Sequence, residues 1–382
     1  MTSLQQVINS LPREIESEHF VFCYGDRNPT CGAGMGFRGV RDRRLVLVYV
    51  DALERLYTEM ASAKFGRKPP VTGPRGKTMV YVFDSVDIPP FYGSPFTDVD
   101  PDGIPYIGLQ ARSNEPTIEA ALQRARADAT HEGTHIFNFR ERYPQDPYSA
   151  AWAWFDEGTA VFMETCVFRG NPDTLRYAVN WVDRPEVSLD DWAYRYESGL
   201  FVRYLTSRMG PKFLSDVWMT AEPQETPLEA IGHLLGQNSS NTCELFKEYC
   251  IDAFFLWDHT RPAFVPEVYS RFGERAVAER FKLRLGATVT RDLTLPHLAC
   301  QYFRVDFAEG VNTVHLQASS PSNEMRFDVV GVQPDGTRGA ATSLPSRGAG
   351  VQTRGVEHFV LIASHCGTKT DQADYRLEIS TH

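Results

Sequence analysis

Apolar residues in the N-terminal third of the chain recur first at strand spacing and then at helical spacing. The pattern predicts a strand, a helix, two strands and a second helix over residues 18–24, 42–64, 78–83, 105–110 and 115–142. A proline-rich loop is expected over residues 85–103. We expect the last strand before the second helix to form the edge of a mixed sheet, because an edge strand can pair with an extended peptide.

The pattern changes twice further along the chain. Residues 150–260 are mostly helical in pattern, with a capping box at Thr226 and Glu229 and a C-terminal glycine at Gly236. From about residue 285, short runs such as Phe303-Arg-Val-Asp-Phe307 alternate apolar and polar residues, which is typical of a β-sandwich. The predicted class is α+β, with an N-terminal sheet subdomain over 1–114, a helical subdomain over 115–284 and a β-sandwich over 285–382.

The second predicted helix carries the motif His131-Glu132-Gly133-Thr134-His135. Residues four apart lie on the same helical face, so His131 and His135 can bind one metal ion. Glu132 follows the first histidine and can act as general base on a metal-bound water. The motif predicts a zinc hydrolase, whereas the alternative for the motif alone is a solvated helix face with a buried histidine.

A catalytic zinc site needs a third protein ligand, and a downstream helical segment provides a candidate. The segment runs Trp-Phe-Asp-Glu-Gly-Thr-Ala-Val-Phe-Met-Glu over residues 154–164. Glu157 is the predicted third ligand. Glu164 lies two turns further along the same face, where it is expected to accept a hydrogen bond from the outer nitrogen of a zinc-binding histidine.

HExxH followed by this segment resembles the gluzincins, the thermolysin-like zinc peptidases. The motif is most similar to the alanyl-aminopeptidase and leukotriene-A4-hydrolase branch, which also has a Y-x-x-G segment that Tyr196-Glu-Ser-Gly199 matches. The resemblance implies a zincin catalytic domain, a metallopeptidase activity and a role for Tyr196 in stabilising the oxyanion. Tyr194 is the alternative to Tyr196.

The upstream G-x-M-E-N segment of that branch, whose glutamate binds a substrate's free amino group, has no counterpart before His131. The resemblance therefore implies the zinc chemistry more strongly than it implies exopeptidase specificity. Two other functions remain open, namely a zinc hydrolase of a non-peptide substrate and a carbohydrate- or protein-binding module with a degenerate cleft. The presence of Glu132 speaks against the binding module, because binding alone needs no general base.

Composition excludes some partners. The net charge of −10 argues against nucleic acid, and no apolar run approaches the length of a membrane span. The N-terminus lacks the features of a signal peptide, so the expectation is either a cytoplasmic protein or one whose signal has been removed.

Seven cysteines leave the redox state open. Cys243 and Cys250 are too far apart along one predicted helix to bond to each other. Cys23–Cys31 and Cys300–Cys366 are possible pairs, and seven free thiols are the alternative.

A second metal is a weaker expectation. Asp98, Asp100 and Asp102, followed by Gly103, match the opening of a calcium-binding loop. Leu109 stands at the position where an EF-hand needs a bidentate glutamate. Acid-rich turns are also common in ordinary loops.

Overall fold

The structure is a computed structural model that describes residues 11–25, 40, 42–73, 75–83, 94–111, 115–142, 150–168, 172–222, 225–236, 239–255, 276–367 and 372–381. The described residues form eight α-helices: α1 Arg43–Ala61, α2 Ile118–Arg142, α3 Ala150–Val167, α4 Pro172–Asp183, α5 Gly199–Met209, α6 Pro211–Thr220, α7 Pro227–Leu234 and α8 Ser239–Phe254. A short 3-10 helix spans Trp192–Ser198. No described helix is both long and apolar enough to cross a bilayer.

Fourteen strands lie in three sheets within the same residues. They are β1 Arg13–Glu16, β2 Phe20–Tyr24, β3 Thr78–Phe83, β4 Phe96–Val99, β5 Pro105–Gln110, β6 Val277–Leu283, β7 Thr288–Pro296, β8 Ala299–Phe307, β9 Thr313–Ser319, β10 Met325–Val332, β11 Thr342–Ser343, β12 Ala349–Gln352, β13 His358–His365 and β14 Gln372–Thr381. The mixed class predicted from the sequence is confirmed at this level.

The chain divides into two compact units, Met1–Thr174 with Gly199–Pro223, and Leu175–Ser198 with Gln224–His382. The three subdomains drawn from the sequence pattern stay a prediction.

The first unit contains a five-stranded sheet in the order β1-β2-β3-β5-β4. Its central strands β2, β3 and β5 are parallel, and β1 and β4 pair antiparallel at the two edges. The prediction that residues 105–110 form the edge was wrong, because β4 pairs with that strand and covers it. The prediction of a continuous loop over 85–103 was also wrong, because Phe96–Val99 within it form the strand β4.

The strand β4 is joined to β5 by a turn that depends on Asp100. Its carboxylate oxygen Oδ1 accepts hydrogen bonds from the backbone N–H groups of Asp102 and Ile104, both at 2.9 Å. Gly103 has a φ of 77°, which a glycine adopts at little cost. β4 has only four residues and no apolar alternation, so its extended form depends on this turn and on pairing with β5.

Helix α1 packs against α2 through a row of buried residues that includes Leu53 and Leu56. A Cβ added at Gly133 of α2 would lie 2.5 Å from Leu53 Cδ2 and 2.6 Å from Leu56 Cδ2. The glycine inside the HExxH turn therefore permits the close approach of α1. This contact packs the turn that carries both histidines directly against α1.

In the second unit, two sheets share one hydrophobic core, as in a β-sandwich. Their strand orders are β11-β10-β13-β8-β6 and β12-β9-β14-β7. Buried side chains from both sheets, such as Phe303 and Leu361 from the first and Leu316 and Leu377 from the second, belong to the same cluster. Alternation along the strands produces this core, because every second side chain faces inward.

A disulfide joins Cys243 of α8 to Cys366, which follows β13. The suggested pair Cys300–Cys366 was wrong, because Cys366 bonds to Cys243 and Cys300 remains a buried thiol. Cys250 is also a buried thiol. Its distance to Cys243 along the helix had predicted that these two cysteines do not bond to each other. Cys31 lies outside the described residues, so its pairing with Cys23 is not tested.

Candidate metal centre

Three predicted ligands meet between helices α2 and α3. One ligand atom from each of His131, His135 and Glu157 lies within 4.8 Å of the other two. His131 Nε2 is 2.9 Å from Glu157 Oε2, and His135 Nε2 is 3.8 Å from the same oxygen. Two helices that are separate in sequence therefore bring two imidazoles and one carboxylate to a single point.

The outer nitrogens of both histidines are hydrogen-bonded to carboxylates of α3. His131 Nδ1 is 2.8 Å from Glu164 Oε1, which is the contact expected of Glu164. His135 Nδ1 is 2.9 Å from Asp156 Oδ1, a contact that the sequence did not predict. Because each Nδ1 is engaged behind the ring, each Nε2 is directed towards Glu157. Such outer partners set the tautomer and orientation of metal-binding histidines.

The same carboxylates control protonation in the metal-free protein. Burial opposes a charge on His131, but its hydrogen bonds to Glu157 and Glu164 raise its pKa well above the ordinary value. Burial likewise opposes a charge on His135, and the Asp156 carboxylate outweighs it, raising the pKa to about 9. Without a metal, the carboxylate partners therefore favour the protonated form of both imidazoles.

Behind Asp156 lies a buried polar chain that the sequence did not reveal. Asn138 Nδ2 donates to Asp156 Oδ1 at 2.5 Å, and Arg67 Nη2 donates to Asn138 Oδ1 at 2.8 Å. Arg67 is only 3% exposed, and its guanidinium lies 5.6 Å from the ring centroid of Trp218. Asn138 stands seven residues after His131 on the same helical face, which was the one available sequence signal.

Glu132, the predicted general base, is 8% exposed. Burial raises its pKa, while the nearby charges of His135 and His131 act in the opposite direction. Thr97 Oγ1 lies 3.0 Å from Glu132 Oε2 and 2.8 Å from the backbone oxygen of Glu132. The edge strand β4 is therefore in direct contact with the predicted base.

Tyr196 lies in the second compact unit, in the 3-10 helix. Its ring stacks on Tyr177 with a centroid distance of 5.1 Å, and the Arg195 guanidinium lies 4.7 Å from its centroid. The hydroxyl of the rival Tyr194 donates to the backbone oxygen of Asn180 at 2.6 Å. The oxyanion role of Tyr196, with Tyr194 as the alternative, stays a prediction.

Two aspartates of the predicted calcium loop, Asp98 and Asp100, have local partners for their carboxylates. Asp98 accepts a hydrogen bond from the Val99 backbone N–H at 2.8 Å, and Asp100 caps the turn described above. Within the described part of the chain, the groups able to hold a metal do not include Asp98, Asp100 or Asp102. The calcium expectation stays untested and gains no geometric support.

One further group of potential ligands, Glu18, His19 and Glu54, lies in the first unit. Glu54 accepts hydrogen bonds there from both the backbone N–H and the Nδ1 of His19, at 2.9 and 2.6 Å. Glu18 is 82% exposed at its side chain. Because His19 and Glu54 already hydrogen-bond to each other and Glu18 is exposed, we assign no metal to this group.

Residues 117–350, more than half of the chain, match the family of unknown function DUF6055. The chain belongs to this family. The match begins just before α2 and so includes both histidines, Glu132 and the carboxylates of α3. No curated protein matches the chain.

Three solved structures are each similar to part of the chain. The periplasmic g-type lysozyme inhibitor PliG from Aeromonas hydrophila is 11% identical, over 28% of this chain and 100% of its own, with a TM-score of 0.20. The pre-peptidase C-terminal domain of collagenase from Bacillus anthracis is 8% identical, over 27% and 94%, with a TM-score of 0.19. The CUB1-EGF-CUB2 domain of human MASP-1/3 is 13% identical, over 28% and 43%, with a TM-score of 0.19. At these TM-scores the likenesses carry no argument about function.

Proposed function

We propose that the protein is a zinc-dependent peptidase of gluzincin type, with a zincin catalytic domain. The observation that carries the proposal is the convergence of His131 Nε2, His135 Nε2 and Glu157 Oε2 while both Nδ1 atoms are held by carboxylates. Two imidazoles and one carboxylate are a typical protein ligand set of a hydrolytic zinc site, and outer hydrogen bonds of this kind accompany it.

A zinc ion held by these three residues would supply a Lewis acid that polarises a carbonyl and makes water more acidic. Glu132 accepts a proton from the attacking water as the water oxygen bonds to the carbonyl carbon. The same carboxyl group then donates that proton to the amine nitrogen as the carbon–nitrogen bond breaks. Its buried position suits both halves of this exchange.

The edge strand supports a peptide as substrate. In an antiparallel pair every second residue bonds to the partner strand, and the Asp100 N–H donates to the Ile104 oxygen at 3.0 Å. By this alternation the backbone groups of Asp98 also face β5, and those of Thr97 face outward. An extended peptide can pair with these outward groups directly beside Glu132.

The resemblance to the gluzincins implies that Tyr196 donates to the oxyanion that forms when water adds to the carbonyl. The support is its match to the Y-x-x-G segment.

The proposal is tested by metal content and cleavage together. Purified protein should bind about one zinc per chain. Glu157→Ala should lose most of the zinc, while Glu132→Gln should keep the zinc and lose peptide cleavage. Cleavage is measured on a proteome-derived peptide library, with Glu132→Gln as the matched control.

Two results would contradict the proposal. Full zinc affinity in Glu157→Ala would place the third ligand elsewhere. Zinc binding without any Glu132-dependent peptide cleavage would favour a non-peptide substrate or a binding role.

A further inference from the structure

The contact between Thr97 and Glu132 joins two elements that are separate in sequence. Thr97 lies in the edge strand β4, and Glu132 lies in the HExxH turn of α2. A threonine hydroxyl has one proton to donate. Thr97 Oγ1, which carries that proton, lies 3.0 Å from the Glu132 carboxylate oxygen Oε2 and 2.8 Å from the Glu132 backbone oxygen.

The carboxylate of Glu132 depends on this contact for its orientation. In the described part of the chain, Thr97 Oγ1 is the hydrogen-bond donor found for that carboxylate. The other polar groups around it, the rings of His131 and His135 and the Glu157 carboxylate, act on it through charge. Charge alone attracts or repels without selecting a rotamer, whereas a hydrogen bond to Oε2 fixes one oxygen and leaves Oε1 for a water molecule.

The backbone of Thr97 has a different role from its side chain. The strand register turns its N–H and C=O outward, away from β5. These are the groups that an extended peptide would pair with. One residue therefore contacts the base through its side chain and faces the substrate position through its backbone.

We infer that Thr97 is a positioning residue, which orients the Glu132 carboxylate relative to the peptide bound on strand β4. The inference rests on the proposed function. It requires that loss of the hydroxyl impairs proton transfer more than peptide binding, because the backbone groups that pair with the peptide remain.

The test uses a matched pair of substitutions in the full chain. Thr97→Val has nearly the same shape, favours the strand and lacks the hydroxyl, while Thr97→Ser keeps the hydroxyl. With the best peptide from the library screen, Thr97→Val should lower kcat about 10- to 100-fold with little change in KM, since small misplacements of a reacting group cost this much. Thr97→Ser should restore most of kcat. Zinc content should equal that of the wild type in both variants.

A second readout needs no turnover. Acetohydroxamate carries an acidic proton that a carboxylate beside a zinc ion can accept, so its affinity for the zinc-loaded protein reports on the Glu132 carboxylate. Calorimetry should find weaker binding for Thr97→Val and for Glu132→Gln, and near-native binding for Thr97→Ser.

The outcomes separate this inference from the proposed function. If the wild type cleaves no peptide but Thr97→Val binds acetohydroxamate more weakly than Thr97→Ser, peptide hydrolysis is wrong, and the orientation of Glu132 by the Thr97 hydroxyl stands. If the wild type cleaves peptides and Thr97→Val equals it in kcat, the positioning role is overturned alone. Equal losses in the valine and serine variants, or loss of zinc in Thr97→Val, also overturn it. A wild type that binds no zinc overturns both.

Discussion

Removing the Asp156 carboxylate should change zinc affinity in a way that depends on pH. Asp156 holds His135 Nδ1 at 2.9 Å and also accepts a hydrogen bond from Asn138. Loss of such an outer partner costs about 10- to 100-fold in metal affinity, which is about 1.4–2.7 kcal/mol. The side chain of Asp156 is 20% exposed, so solvent screens the interaction only in part.

The same carboxylate also favours the competing proton. It raises the pKa of His135 to about 9, so zinc must displace a proton at neutral pH. A pKa two units above the working pH weakens apparent metal affinity about 100-fold. In Asp156→Ala this competition weakens, because only the Glu157 carboxylate then acts against burial, and the gain offsets part of the loss near pH 7. Well above pH 9, wild-type His135 is neutral, and the full loss of affinity should appear.

The assay is competition with a chromophoric zinc chelator at a series of pH values. Glu132→Gln serves as the control, because it removes a neighbouring carboxylate other than those that bind the Nδ1 atoms of His131 and His135. Asp156→Asn keeps an oxygen acceptor and should fall between wild type and Asp156→Ala at high pH. The reasoning is refuted if Asp156→Ala binds zinc as tightly as wild type at high pH, or if its loss is larger near neutrality.

Three further predictions concern the oxyanion donor, the substrate and the disulfide. Tyr196→Phe should lower kcat and kcat/KM alike by about 10²–10³ with intact zinc, whereas Tyr194→Phe should not; slow turnover in Tyr194→Phe alone would exchange the two assignments. Internally quenched peptides with a blocked N-terminus should be cleaved better than single-residue aminoacyl reporters, and strict dependence on a free amine would show that another acidic residue binds it. Cys243→Ser should reduce the free energy of unfolding by up to about 5 kcal/mol, because the disulfide closes a loop of sequence separation 123; an unchanged urea midpoint would contradict this.

Local signals predicted several parts of the fold and site correctly. The strands over 78–83 and 105–110 have the bounds that their alternation indicated, and α1 and α2 lie where helical spacing placed them. The capping box at Thr226 is present, with both of its hydrogen bonds. The positions of His131 and His135 on one face follow from helical geometry, which needs no knowledge of the rest of the chain. Their role as zinc ligands stays a proposal.

The errors and omissions have a common cause. β4 lacks apolar alternation, so its extended form appears only through its pairing with β5. Cys366 bonds to Cys243 because α8 and β13 come together in the second unit. In each case the partner is distant in sequence, and no local pattern identifies it.

The sequence by itself therefore determined which residues can provide ligands and a base, because helical periodicity and motif spacing are local properties. It also determined the mixed class, since alternation and helical spacing are read within single elements. Only the tertiary structure decided which groups surround those residues: Asp156 behind His135, Arg67 behind Asn138, and Thr97 against Glu132. The physical reason is that orientation and pKa depend on buried neighbours, and folding brings those neighbours from other helices and strands.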